Sequence, residues 1–469
     1  MGDPDAVLAR IEAFAGRRLA ESGCPGLAVG ITDRERTLGV VVAGTSDLAG
    51  TTPIGTETLF EIGSIGKTFT AVALLQDHAA GRLDLHAPVT DYLPWFAVRS
   101  THPMPTVHHF LTHTAGIIAG MDGTPGGMSE VCALRHTETG GPPGERFHYS
   151  NVGYKVLGLI LERVADKPYG DVVKERILDP LGMTATDPTI TNETRRRLAV
   201  GHAPWYDDRP YRQEDGLVPA NWIETDTGDG CLASTADDMA RFLRMLLNRG
   251  AGPDGRILDE TGFGLLTQRA NLAWDDQRYG YGTLLFDRDG HAHVAHTGYM
   301  VGFSAYLVGD VDAGLGAVVL ANATTVGPEA IADRALALLR AAREGRQSPP
   351  DPPSDEATPE PVSIEPEGTV DPTTVIPAPP AEWIAYPGAY RSHNPWVPFA
   401  RVALTGGVLR LILPSGPDGF GDDQPLVPVP DGSFRAGDDP GTPERARFDI
   451  VVEGKALRLV LSGADFWRI

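Results

Sequence analysis

A serine hydroxyl, a lysine amine and a tyrosine phenol can form an acyl-transfer centre when a fold brings them together, and this chain carries candidates for all three. In Gly63-Ser64-Ile65-Gly66-Lys67-Thr68-Phe69 a turn of small residues runs into an apolar helix that ends near Gly81. Ser64 falls at the start of that helix. Lys67 follows one turn later on the same face, so its amine can reach the hydroxyl. A serine alcohol is a weak nucleophile without a neighbouring base. A desolvated lysine can give up its proton, whereas arginine cannot. The chain is sparing with lysine: among 40 Lys and Arg residues, the lysines are Lys67, Lys155, Lys167, Lys174 and Lys455. Taken alone, S-x-x-K describes a helix-capping serine and a surface lysine just as well.

Two further segments carry complementary groups. Tyr149 follows a Pro-Gly turn and precedes an apolar helix over 152–164, and a phenol beside an ammonium can serve as a base. Asn151, two residues on, can hold a substrate amide. His296-Thr297-Gly298 sits on a strand that begins at His291, and Gly302 follows closely. The backbone N–H of Tyr299 can pair with that of Ser64 as an oxyanion hole. Singly, these residues also fit a core tyrosine, a capping asparagine and an edge-strand histidine.

The elements around them suggest how they meet. Apolar spacing predicts a helix over 5–20, then strands over 26–33 and 37–44. Strands return at 279–287, 291–297, 303–308 and 316–321, and a helix over 328–343 closes the unit. An antiparallel sheet built from both ends of this region, flanked by helices and facing a mostly helical middle (60–265), is an α+β arrangement with a cleft between its layers. Prolines crowd 346–380 among Ser, Thr, Asp and Glu, a composition expected of an extended linker. From 381 the pattern alternates again, predicting strands over 399–405, 408–413, 433–436, 447–453 and 456–462 in a small all-β barrel domain. The expected division is therefore 1–345, 346–380 and 381–469.

Composition narrows the partners. The net charge of −22 argues against nucleic acid and anionic membrane surfaces. No apolar run of 18 residues is present, so no membrane span is expected. Cys24, Cys132 and Cys231 form neither a disulfide framework nor a metal motif, and no H-E-x-x-H occurs. No metal or cofactor is expected. The expected partner is a small-molecule or peptide substrate, and the oligomeric state stays open. The first residues lack the basic-then-apolar layout of a signal peptide, which favours the cytoplasm, although a trimmed secreted chain would look alike.

S-x-x-K, Y-x-N and H-T-G, in this order, resemble the three signatures of the penicillin-recognising serine enzymes. The flanking segments Phe110-Leu111-Thr112-His113-Thr114-Ala115-Gly116, Ile177-Leu178-Asp179-Pro180-Leu181-Gly182-Met183 and Ser234-Thr235-Ala236-Asp237-Asp238-Met239 resemble the class C β-lactamase-like branch. The resemblance spans about residues 5–345. It implies an acyl-enzyme on Ser64, a general-base pair of Lys67 and Tyr149, a catalytic role for His296, and structural roles for His113, Asp179 and Asp238. The C-terminal part is similar to the lipocalin-like domain of certain D-amino-acid peptidases, chiefly in Tyr386-Pro387-Gly388-Ala389-Tyr390-Arg391 and its strand pattern. In such relatives this domain can wall off the cleft.

Departures from the family pattern bear on substrate. Class C β-lactamases have K-T-G where this chain has H-T-G. Carboxypeptidases with H-T-G tend to place an arginine two residues after Y-G-x-G, where this chain has Leu284, and a threonine where it has Tyr299. The expectation is a serine hydrolase of small amides or esters, of D-amino-acid peptidase, amidase or esterase type, with His296 at best a conditional cation. Alternatives are a penicillin-binding-type thioesterase that cyclises peptides, a weak β-lactamase or D-Ala-D-Ala carboxypeptidase, and an inactive scaffold.

Overall fold

The computed structural model describes residues 4–120, 126–268, 270–274, 276–351, 379–413 and 422–469. Its first sheet has eight antiparallel strands: β1 (Gly26–Asp33), β2 (Thr37–Gly44), β3 (Asn271–Leu272), β4 (Arg278–Tyr279), β5 (Leu284–Arg288), β6 (His291–Met300), β7 (Phe303–Asp310) and β8 (Leu315–Ala321). The order across the sheet is β2-β1-β8-β7-β6-β5-β4-β3. Pairing of β1 with β8, Leu27 opposite Ala321 through Asp33 opposite Leu315, joins the early strands to the late ones, as the sequence predicts.

Both faces of this sheet are covered. The first helix, α1 (Pro4–Ser22), and the last of this part, α5 (Pro328–Arg343), pack on one side with Leu27, Val29 and Ile31 of β1. On the other side α4 (Ala236–Leu247) lies on β1 and β8, and α2 (Gly66–Ala79) and α3 (Asn151–Ala165) belong to the core beyond it. There β1 offers Ala28 and Gly30. A Cβ at Gly30 would fall 2.4 Å from the carbonyl oxygen of Ala236, so the small residues let α4 lie against the strand. Strands buried on both faces lose the in–out polarity of half-exposed strands, and β1 and β8 are buried throughout.

The expected strand over 279–287 is broken. Residues 280–283 turn back, with the Gly280 N–H donating to Thr283 O at 2.8 Å. The turn makes room for the start of α2: a Cβ at Gly282 would lie 2.6 Å from Lys67 O, and Thr68 Oγ1 donates to Gly282 O.

The second sheet is a closed barrel of β9 (Gly388–Arg391), β10 (Phe399–Thr405), β11 (Val408–Leu413), β12 (Asp422–Pro428), β13 (Phe434–Ala436), β14 (Arg445–Val452), β15 (Lys455–Leu461) and β16 (Ala464–Arg468). Each strand pairs with its sequence neighbour, and Tyr390 opposite Arg468 closes the ring, so no edge is left open. Tyr390, Val402, Leu411, Leu426, Phe434, Leu459 and Phe466 fill its core. This is the lipocalin-like barrel expected from the sequence. Three of its strands, β9, β12 and β16, carry no alternation long enough to be read in advance. Most of the proline-rich stretch lies outside the described residues. Its first residues are held: Arg334 donates to the carbonyls of Pro349 (2.9 Å) and Pro350 (3.0 Å) and pairs with Asp351.

The barrel is seated on the helical side of the first unit. Trp396 packs against that core. Arg445 pairs with Glu138 at 3.0 Å, Arg146 with Asp439, and Arg391 with Asp207 at 2.6 Å.

Candidate active site

The turn Gly63–Ile65 is a single 3₁₀ turn that leads directly into α2. Gly63 has φ +52°, and a Cβ there would fall 2.5 Å from Tyr299 O and 2.6 Å from Tyr299 N. The glycine thus meets two demands at once, a left-handed backbone and a close approach to β6. Gly298 answers from the other side, where a Cβ would lie 1.9 Å from Ile62 O. These two glycines let the serine turn rest against the end of β6.

Helical spacing then brings Lys67 back to Ser64. Its Nζ donates to Ser64 Oγ at 3.0 Å, to Asn151 Oδ1 at 2.8 Å and to Asp229 O at 2.7 Å. Three acceptors around one amine match the three donors of an ammonium ion. The side chain is buried, which raises the worth of every one of these bonds. Lys67 Nζ also lies 5.0 Å from the centre of the Tyr149 ring and 5.6 Å from that of Tyr154. Ser64, Lys67, Tyr149 and Asn151, read from two distant motifs, therefore come together.

Tyr149 is positioned by a residue that the sequence reading treats as structural. The His113 carbonyl accepts from His148 N at 2.7 Å, and His113 Nδ1 accepts from Ser150 N at 3.0 Å. One residue thus brackets Tyr149 on both sides, and its ring stands 4.2 Å from the tyrosine ring. His113 itself has φ +55°. Burial pushes its pKa well below the ordinary value, with the Lys67 charge adding to the effect, and the neutral ring is the form that can accept at Nδ1. Ser150 caps α3 by accepting from Gly153 N at 3.0 Å, and Asn151 N donates to Ala119 O at 2.7 Å. The cap sets where the helix starts and so where Asn151 points.

The end of β6 supplies backbone groups. Met300 and Phe303 close a two-residue turn, and pairing with β7 alternates from there. The amides of Met300, Gly298 and His296 accordingly go to β7, while those of Thr297 and Tyr299 face the opposite edge. Pairing of that edge with β5 stops at Ala295. The Tyr299 N–H thus faces the side where Gly63 and Ser64 lie. The Tyr299 hydroxyl turns away and donates to Glu329 Oε1 at 3.1 Å.

His296 is the first residue of the H-T-G motif on β6. Its side chain lies under the site, 2% exposed. The ring donates from Nδ1 to Thr297 O at 2.6 Å, which leaves Nε2 to accept from the Tyr279 hydroxyl at 2.9 Å. Burial lowers its pKa to about 3. With both nitrogens engaged and the ring desolvated, the neutral form of His296 is favoured, in line with a residue expected to be at best a conditional cation. Leu284, at the carboxypeptidase arginine position, is buried in the apolar cluster that also holds Tyr279, Phe286 and Ala295.

Aromatic rings line one side of the site. Phe147 and Trp274 stand 5.2 Å apart, Tyr149 and Trp274 5.8 Å, and Trp274 is 46% exposed. Trp274 had no signal in the sequence, because its contact with Tyr149 spans two separate motifs. Among the described residues, no group of three His, Cys, Asp or Glu side chains is placed to hold a metal, and no helix is long and apolar enough to cross a membrane.

A profile of the β-lactamase family matches residues 11–342. The chain is 30% identical over 284 residues to penicillin-binding protein 4 of Amycolatopsis lactamdurans, covering 57% of this chain and 73% of that protein. It is 28% identical over 376 residues to esterase EstB of Burkholderia gladioli, covering 69% of this chain and 93% of the esterase. Among solved structures, the octameric penicillin-binding protein homologue from Pyrococcus abyssi is similar with a TM-score of 0.65 and 25% identity, covering 98% of this chain and 99% of that one.

Proposed function

The chain belongs to the β-lactamase family of serine hydrolases, and from that premise we propose that it cleaves small esters or amides through an acyl-enzyme on Ser64. The observation that carries this reading is the position of Lys67 Nζ, 3.0 Å from Ser64 Oγ, 2.8 Å from Asn151 Oδ1 and 5.0 Å from the Tyr149 ring. In the proposed step Ser64 Oγ attacks the substrate carbonyl and its proton passes to Tyr149, with Lys67 supplying the positive charge that favours the phenolate. The developing oxyanion takes hydrogen bonds from the N–H groups of Ser64 and Tyr299. Tyr149 returns the proton to the leaving alcohol or amine, and water then releases the acyl group by the reverse route. Asn151 holds the substrate amide. His296 keeps the strand end in place through Tyr279.

Substrate preference follows from charge. A carboxylate in a partly dry site needs a cation or several donors. His296 is neutral, Leu284 is apolar, and Lys67 is already engaged by three acceptors. The aromatic wall of Phe147, Tyr149 and Trp274 favours an uncharged acyl or leaving group. Esters and D-amino-acid amides with the adjoining carboxylate masked should thus be better substrates than the free acids, and penicillins poor ones. The likeness to an esterase over 93% of its length supports the ester arm. The test is kcat/KM for matched masked and unmasked pairs at pH 8 and pH 6, with Ser64→Ala as control. Masked substrates are expected to lead at both pH values, and Ser64→Ala to abolish turnover. A lead for the free carboxylate, or activity surviving in Ser64→Ala, would sink the reading.

A further inference from the structure

The barrel reaches the base segment through one carboxylate. Glu444, just before β14, extends out of the barrel with its side chain 18% exposed. Its Oε1 accepts from His148 Nε2 at 2.9 Å and from Ala119 N at 2.7 Å, while Oε2 accepts from Ser462 Oγ. Both core partners adjoin the site. His148 directly precedes Tyr149. Ala119 carries the carbonyl that accepts from Asn151 N at 2.7 Å and Val152 N at 3.2 Å. One carboxylate thus grips the chain on both sides of Tyr149-Ser150-Asn151, opposite to the grip of His113. Burial would push the Glu444 carboxyl up, but the bonds and charge of His148, with those of Ser462 and Ala119, outweigh it and hold the group below its usual range.

The surrounding seam is built to hold this contact. A Cβ at Gly140 would fall 2.0 Å from Gly441 O, so the barrel loop meets the core backbone to backbone. Arg445 pairs with Glu138 and Arg146 with Asp439 on either side. A cavity of about 210 Å³ between Gly116, Pro142, Glu145, His148 and Pro440 lies in the same seam.

We propose that Glu444 is a positioning residue for acylation, a carboxylate lent by the barrel that fixes Tyr149 and Asn151 through His148 and Ala119. The barrel is then part of the acylating centre as well as a wall beside it. This inference rests on the proposed roles of Ser64, Tyr149 and Asn151.

The experiment measures the rate of covalent labelling by a fluorophosphonate, the labelled residue by mass spectrometry, and kcat and KM for a p-nitrophenyl ester, all in the full chain. Glu444→Ala is expected to slow labelling and kcat at least tenfold with KM within a few-fold. Glu444→Gln should recover most of the rate, because its amide oxygen accepts the same two bonds. Arg391→Ala, which breaks the Asp207 pair elsewhere on the seam, should stay within about twofold of the parent, as expected for an exposed ion pair. Should Glu444→Ala fail to fold, His148→Ala removes half of the grip from the core side and should slow labelling severalfold. The inference is overturned if Glu444→Ala or His148→Ala labels as fast as the parent, if Glu444→Gln is as slow as Glu444→Ala, or if Arg391→Ala is slowed equally. A parent protein labelled at a residue other than Ser64 would instead remove the proposed function itself.

Discussion

Tyr149 stands between two walls of opposite character. The inner wall, His113, Tyr154, Tyr279 and His296, is buried and held neutral by desolvation. The outer wall, His148, Arg146 and Glu444, is partly exposed, ionisable and shared with the barrel. An inner wall that is uncharged near neutral pH is insensitive to salt, so it sets geometry there. An outer wall whose contacts are made with the barrel depends on a second folding unit being in place. The comparison suggests that the position of Tyr149 is fixed from within and completed from without, and that the two contributions can be separated by substitution.

The largest effect should come from the charge between the walls. Lys67→Arg keeps a cation but cannot present the compact three-donor amine that meets Ser64, Asn151 and Asp229. Acylation is expected to fall by about 10²-fold or more, the order of a general-base contribution. Single-turnover labelling measures it, and a rate within a few-fold of the parent would reduce Lys67 to a structural role.

A smaller loss should follow from loosening the inner wall. His113→Ala removes the acceptor for Ser150 N and the ring against Tyr149. Small displacements of reacting groups can cost up to about 10²-fold, and a loss of tenfold or more in kcat is expected. His113→Asn places an amide oxygen where Nδ1 was and should recover part of that loss. Equal kcat in His113→Ala and the parent would show that the outer wall suffices.

The smallest effect concerns stability. His296 has a folded pKa of about 3, against an unperturbed value of about 6.5. As pH falls below about 6.5 the unfolded chain takes up the proton first, so the stability that this ring contributes is full above that pH and is lost progressively towards pH 3. His113, depressed by the same cause, acts in the same direction. His296→Gln keeps an acceptor for Tyr279 without a titrating ring. Its Tm should therefore fall less steeply than that of the parent between pH 7 and pH 4. Equal slopes would place the acid lability elsewhere, for example in the outer wall.

Local spacing was enough to read much of this protein. A helix start puts residues three apart on one face, so Ser64 and Lys67 are paired by the chain itself. Alternation and turn residues marked β1, β2, β10 and β11 with their observed limits, and helical spacing marked α5. What depends on long-range packing was not legible. The break at residues 280–283 exists because α2 needs the space. The direction of His296, beneath the site and bonded to Tyr279, follows from which face of β6 meets the helices, and the neutrality of its ring follows from burial. His113 brackets Tyr149 across a loop, and Glu444 reaches His148 from 296 residues away. Spacing along the chain determines which side chains a single helix or strand presents together. Desolvation and contacts between separate elements exist only once the layers are packed, and they decided which of the histidines are held neutral and what fixes the position of Tyr149.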